Sequence, residues 1–167
     1  MEKTTKGIYA PNLIAICVDG RIGNDYFGKI YNQYQEEPMA FTGMLEAIKK
    51  IESFLDAMDF PQRSMVPRTF DKKEITADGY GKRPKRGEIM DNLESKNGEE
   101  GTFIVQIKYR QNATWQGQVV WAEQNKKVYF RSALELLRLI DGAMNAGEGS
   151  IDDDVTAEPL KQAGAAE

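Results

Sequence analysis

Rings and cations alternating along β-forming segments are the residues of this chain best suited to chemistry. Phe27, Lys29 and Tyr31 alternate in one segment, and Lys108, Arg110, Lys127 and Tyr129 lie in others. Such a face suits single-stranded DNA or RNA, because bases stack on rings while Lys and Arg follow the phosphates. Gln33, Gln106, Gln116 and Gln118 share the alternation, and no acid falls among these strand positions. The run Lys82-Arg83-Pro84-Lys85-Arg86 adds a basic arm whose binding to a phosphate backbone would be salt-dependent.

Other chemistries find less support. The chain has no histidine and one cysteine, so a Ser-His-Asp triad, a Cys-His pair and the usual zinc sites are excluded. A carboxylate-only magnesium or calcium site stays open. Asp19, Asp25, Glu135 and Asp141 are carboxylates that no spacing pairs into a cleft. Asp78-Gly79-Tyr80-Gly81-Lys82 lacks the glycine spacing and the Ser/Thr of a P-loop. Cys17 has no disulfide partner and sits in an apolar run, which reads as an inert, partly buried thiol. The expectation is therefore a non-enzymatic protein without a cofactor.

The 167 residues amount to one domain, and the net charge of −4 hides an uneven distribution. Asn145 to Glu167 holds six acids and one base, a balance of −5 that leaves +1 for the rest. Pro61 to Gly87 holds eight bases and three acids, or +5. No run of 18 apolar residues occurs, so no membrane span is expected. The first 15 residues are too interrupted for a secretory signal, and a cytoplasmic chain is expected.

The elements that must position these residues occur twice. With Gly28 laid over Gly117, Phe41 falls on Phe130, Leu45 on Leu134, Glu46 on Glu135 and Ile51 on Ile140, all 89 positions apart and without a gap. In the second unit Phe103, Val105, Ile107 and Tyr109 alternate along one strand, and Trp115, Gly117, Val119 and Trp121 along the next. Lys127 to Arg131 forms a third strand. Ser132 and Glu135 then make a capping box for a helix whose apolar face is Ala133, Leu136, Leu137, Ile140 and Met144. In the first unit the strands are Leu13 to Val18, Tyr26 to Gln35 and Met39 to Phe41. The helix from Gly43 to Met58 buries Leu45, Ile48, Ile51, Leu55 and Met58, and Pro61 stops it.

The predicted fold is α+β: two pseudo-repeated β-β-β-α units forming antiparallel sheet, with both helices on one face. Residues 1–12 are read as a flexible N-terminus, 13–60 as the first unit and 61–101 as a basic mobile linker. Residues 102–146 form the second unit and 147–167 an acidic disordered tail. Gly28 and Gly117 are expected where each helix crosses its own sheet; a slot for a ligand ring is the alternative.

Residues 110–117, Arg-Gln-Asn-Ala-Thr-Trp-Gln-Gly, and 130–137, Phe-Arg-Ser-Ala-Leu-Glu-Leu-Leu, carry a likeness. This stretch resembles a family of short, uncharacterised bacterial proteins with an RQNxTWQGxVxW…FRSALEL pattern. The resemblance carries no known activity and implies only a bacterial, cytoplasmic origin. The doubled meander-and-helix order is similar in architecture to PUR repeats, which bind single-stranded nucleic acid through a sheet face. No PUR sequence motif is present, so the likeness is one of architecture only; the surface read from the residues themselves is Phe27, Lys29, Tyr31, Lys108, Arg110, Lys127 and Tyr129, with Lys82, Arg83, Lys85 and Arg86 as the arm. The alternatives are a protein-interaction adaptor, or a small regulatory protein with a ligand beside Gly28 or Gly117. Pairing of sheet edges into a homodimer is also open.

Overall fold

A computed structural model describes residues 10, 12–70, 93 and 95–146. The expected arm Lys82–Arg86 and the acidic tail lie outside the described residues. So does most of a helical turn expected around Ile89 to Glu94, of which only Leu93 is described, as helix.

Six strands and two helices follow in the order β1 (Leu13–Ile22), β2 (Asp25–Asn32), β3 (Met39–Phe41), α1 (Met44–Met58), β4 (Gly101–Tyr109), β5 (Gln116–Trp121), β6 (Lys126–Phe130) and α2 (Ala133–Asn145). All pairings are antiparallel, in the spatial order β3-β2-β1-β4-β5-β6. The fold is therefore α+β, a single six-stranded sheet. β1 and β4 pair at its centre over Leu13–Val18 and Gly101–Gln106, joining the halves.

Both helices press on one face. Ala47, Ile51, Phe54 and Leu55 of α1, with Leu136 and Ile140 of α2, share a core with Ile16, Ile30, Phe41, Val105, Ile107 and Phe130. Leu45, expected in that core, is 67% exposed, because the helical turn points it away from the buried stripe of Ala47, Ile51, Phe54 and Leu55. Ser132 caps α2 by accepting from the Glu135 N–H at 3.0 Å. The second half of the expected capping box is missing: the Glu135 carboxylate accepts from Arg131 Nε at 3.1 Å instead.

The glycines do not serve a helix crossing. A Cβ on Gly28 would sit 1.9 Å from the Cys17 carbonyl oxygen, and one on Gly117 would sit 2.0 Å from that of Gln106. Each glycine faces the start of a β-bulge, between Val18 and Gly20 in β1 and between Ile107 and Tyr109 in β4. The bulged backbone leans into its neighbour, and only glycine leaves room for it.

Alanine at either position should therefore cost about 3 kcal/mol, since the obstruction is main chain and cannot rotate away. Gly142 is the control. It lies within α2, and a Cβ there meets nothing within 4 Å, so Gly142→Ala should stabilise by about 0.5–1 kcal/mol. Urea denaturation of the three variants checks both signs.

Candidate nucleic-acid interface

The face away from the helices is read from paired residues. Tyr31, Ala15, Ile104, Val120 and Lys127 form one row across it; Leu13, Gln106, Gln118 and Tyr129 form the next. Its two ends differ from its middle. Leu13, Ala15 and Cys17 of β1 are buried on this side with Ala10 and Leu93, and Tyr31 and Ile104 pack against them. β1 is thus covered on both faces. A strand buried on both faces shows a continuous apolar run rather than alternation, and Leu13-Ile14-Ala15-Ile16-Cys17-Val18 is such a run. That signal marks the covered centre, which the sequence reading left open.

The expected surface is accordingly split. At one end Lys29 is exposed, while Phe27 and Tyr31 are half-buried. A Cβ on Gly20 would meet the Phe27 ring at 2.7 Å, and Lys96 Nζ stands 5.1 Å from the Tyr31 ring centroid. At the other end Tyr129 is 61% exposed, and the ammonium groups of Lys108 and Lys127 each lie 5.3 Å from its ring centroid. Gln118 Nε2 donates to Gln106 Oε1 at 2.8 Å beside this ring, and Gln118 Oε1 has no partner among the described residues. β2 and β6 lie four strand spacings apart, about 19 Å.

Arg110 does not belong to this surface. The bulge at Lys108 shifts the alternation by one, so Arg110 turns to the helix side, where it is 4% exposed. Its Nε donates to the Pro61 carbonyl at 2.7 Å, and its guanidinium meets Asp56 at 2.5 Å and the Leu55 carbonyl at 3.5 Å. It thereby satisfies the C-terminal end of α1. Arg63 bonds the same Asp56 and pairs with Glu52 at 2.8 Å, and Ser64 N–H donates to the Arg110 carbonyl. Residues 61–64, inside the expected linker, are held against the body by these contacts.

The same contact recurs in the other half. Arg21, 89 positions before Arg110, donates to the Met144 carbonyl at 2.7 Å and to Asn145 Oδ1 at 3.0 Å, at the end of α2. Tyr26 donates to Asp141 of α2 at 2.6 Å, and Trp115 donates to Glu52 of α1 at 2.5 Å. Asp25 accepts from the first N–H of α1, and Thr114 accepts from the first N–H of α2, both at 3.0 Å. Every one of these pairs keeps the interval of 89. The first two types of contact tie a strand, or the segment between two strands, of one half to the helix of the other.

Two groups on β1 and β2 titrate abnormally. Burial pushes the Cys17 thiol up to about 11, helped by the nearby charges of Asp19 and Glu123. Those two acids flank the covered centre of the face expected to be free of acid. Burial, then the hydrogen bond to Asp141 and its charge, raise Tyr26 to about 12.

Next to Trp115 a cleft of about 200 Å³ is lined by Glu52, Arg63, Met65 and Arg110 among others. It is smaller than most organic-ligand sites, and its charged groups are already paired with one another. Among the described residues no group of three or more carboxylates or thiols is arranged to hold a metal, and no helix is long and apolar enough to cross a membrane. No family model, curated protein or solved structure matches the chain.

Removing Arg110 leaves Asp56, which is 13% exposed, with Arg63 as its remaining cation, and takes the donor from the Leu55 and Pro61 carbonyls at the end of α1. Arg110→Ala should cost about 3 kcal/mol. Arg21→Ala, at a side chain 40% exposed, should cost under about 1 kcal/mol; chemical denaturation measures both. The raised Tyr26 also makes a pH prediction. Its neutral form is favoured by the fold, so its contribution is complete below pH 10 and is lost as pH rises through about 12. Between these values the native chain should lose stability more steeply than Tyr26→Phe, as read from urea midpoints at successive pH values.

Proposed function

We propose that this chain is a non-enzymatic binding protein for single-stranded DNA or RNA, and that its contact surface is the outer face of β4, β5 and β6. The observation that carries this reading is an exposed tyrosine with two ammonium groups at 5.3 Å from its ring. A base stacks on such a ring while the lysines, freed from it, meet the flanking phosphates. Lys29 and Phe27 make a second, weaker contact on β2, and the Lys82–Arg86 segment adds phosphate contacts.

We further propose that the two halves are copies of one β-β-β-α unit. The paired glycines, bulges, arginine contacts and helix starts, all 89 positions apart, support that reading. It agrees with the likeness to PUR repeats and with a bacterial, cytoplasmic setting.

A protein-interaction role is the second reading, favoured by residues 65–70. There Val66 is 90% exposed and the Phe70 side chain is fully exposed. A partner protein would cover them.

Fluorescence anisotropy of labelled single-stranded DNA and RNA, at low and moderate salt, decides between the two. Binding should weaken steeply with salt. Lys108→Glu and Lys127→Glu should each weaken it about tenfold, and Tyr129→Ala should remove roughly 1–3 kcal/mol of stacking, with melting unchanged. No binding at low salt, or binding indifferent to all three changes, would reject the nucleic-acid reading.

A further inference from the structure

The two edges of the sheet are not alike. β3 has three residues, and the Ala40 carbonyl accepts from Lys50 of α1. β6 has five, and among the described residues its backbone pairs only with β5. Lys126, Lys127, Val128 and Tyr129 are all exposed, Val128 to 42%. An open strand with an apolar residue at its middle is a template for another strand.

Its sequence, Lys-Lys-Val-Tyr-Phe, selects the partner. Turn a second β6 antiparallel about a two-fold axis at Val128. Val128 then faces its own copy, Lys127 faces Tyr129 and Lys126 faces Phe130. Each Lys127 meets the exposed Tyr129 ring of the other copy, Lys126 lies beside the buried Phe130, and no like charges oppose. The neighbouring registers that keep both helix layers on one face fail this test. Centred on Lys127, that residue opposes itself; centred on Tyr129, Lys127 opposes Arg131. We infer that β6 is the contact between two copies of this chain, forming a continuous twelve-stranded antiparallel sheet centred on Val128. The pairing stands independently of the nucleic-acid reading. It also sets the Tyr129 and Lys127 side chains of both copies side by side across the seam.

The test is sedimentation velocity of the full chain, nuclease-treated, from about 1 to 200 µM. A strand of five residues makes a small interface, so dimer should appear in the upper part of that range. Val128→Lys sets like charges opposite each other at the axis and should leave monomer throughout, with an unchanged melting curve. For the register, Val128→Cys should form an intermolecular disulfide under mild oxidation, whereas Lys126→Cys, which faces Phe130, should not. Native protein that stays monomeric at 200 µM overturns the proposal. So does a dimer indifferent to Val128→Lys, or equal cross-linking of both cysteine variants.

Discussion

The pairing of β1 with β4 is the contact on which the rest of this molecule depends. A unit of three strands and one helix, about 45 residues, buries too small a share of its surface to be more than marginally stable alone. Joined along Leu13–Val18 and Gly101–Gln106, the two halves make one sheet long enough to carry both helices on a shared core. The central strand is then enclosed on both sides, which accounts for its unbroken apolar run. It also removes the middle of the sheet from any contact with a ligand.

The joint is reinforced across the halves rather than within them. Arg110 reaches the end of α1 from β4, and Arg21 reaches the end of α2 from β1. Tyr26 and Trp115 each donate to a carboxylate on the opposite helix. Helix ends carry unsatisfied carbonyls, and a guanidinium can meet a carbonyl and a side-chain oxygen together. The two bulges make this possible. An extra residue at Asp19 and at Lys108 reverses the phase of each strand, so that the arginine returns to the helix side. The glycine opposite each bulge admits the displaced backbone.

That same phase change decides which side chains could meet a ligand. It keeps Lys108 near the Tyr129 ring and withdraws Arg110. Strict alternation from Phe103 places Lys108 and Arg110 on one face, and the tyrosine–lysine cluster at the far end of the sheet was partly legible from that pattern. What alternation cannot register is a bulge, because the inserted residue is marked only by the glycine on the partner strand. Tyr26-x-Gly28 and Trp115-x-Gly117 carried that mark, and it indicates backbone approach rather than a helix crossing or a ligand slot.

The order of strands and helices, their approximate limits and the interval of 89 follow from local signals in the chain: apolar period, turn residues and the Ser132 cap. These depend on neighbours a few positions apart, and sequence records such neighbours directly. The cover over β1, the cross-half contacts of Arg21 and Arg110, and the capping of α1 and α2 by Asp25 and Thr114 belong to the tertiary structure alone. Each brings together groups far apart in the chain or displaced by a bulge. Charge and periodicity have no term for that geometry, and only the packed sheet supplies it.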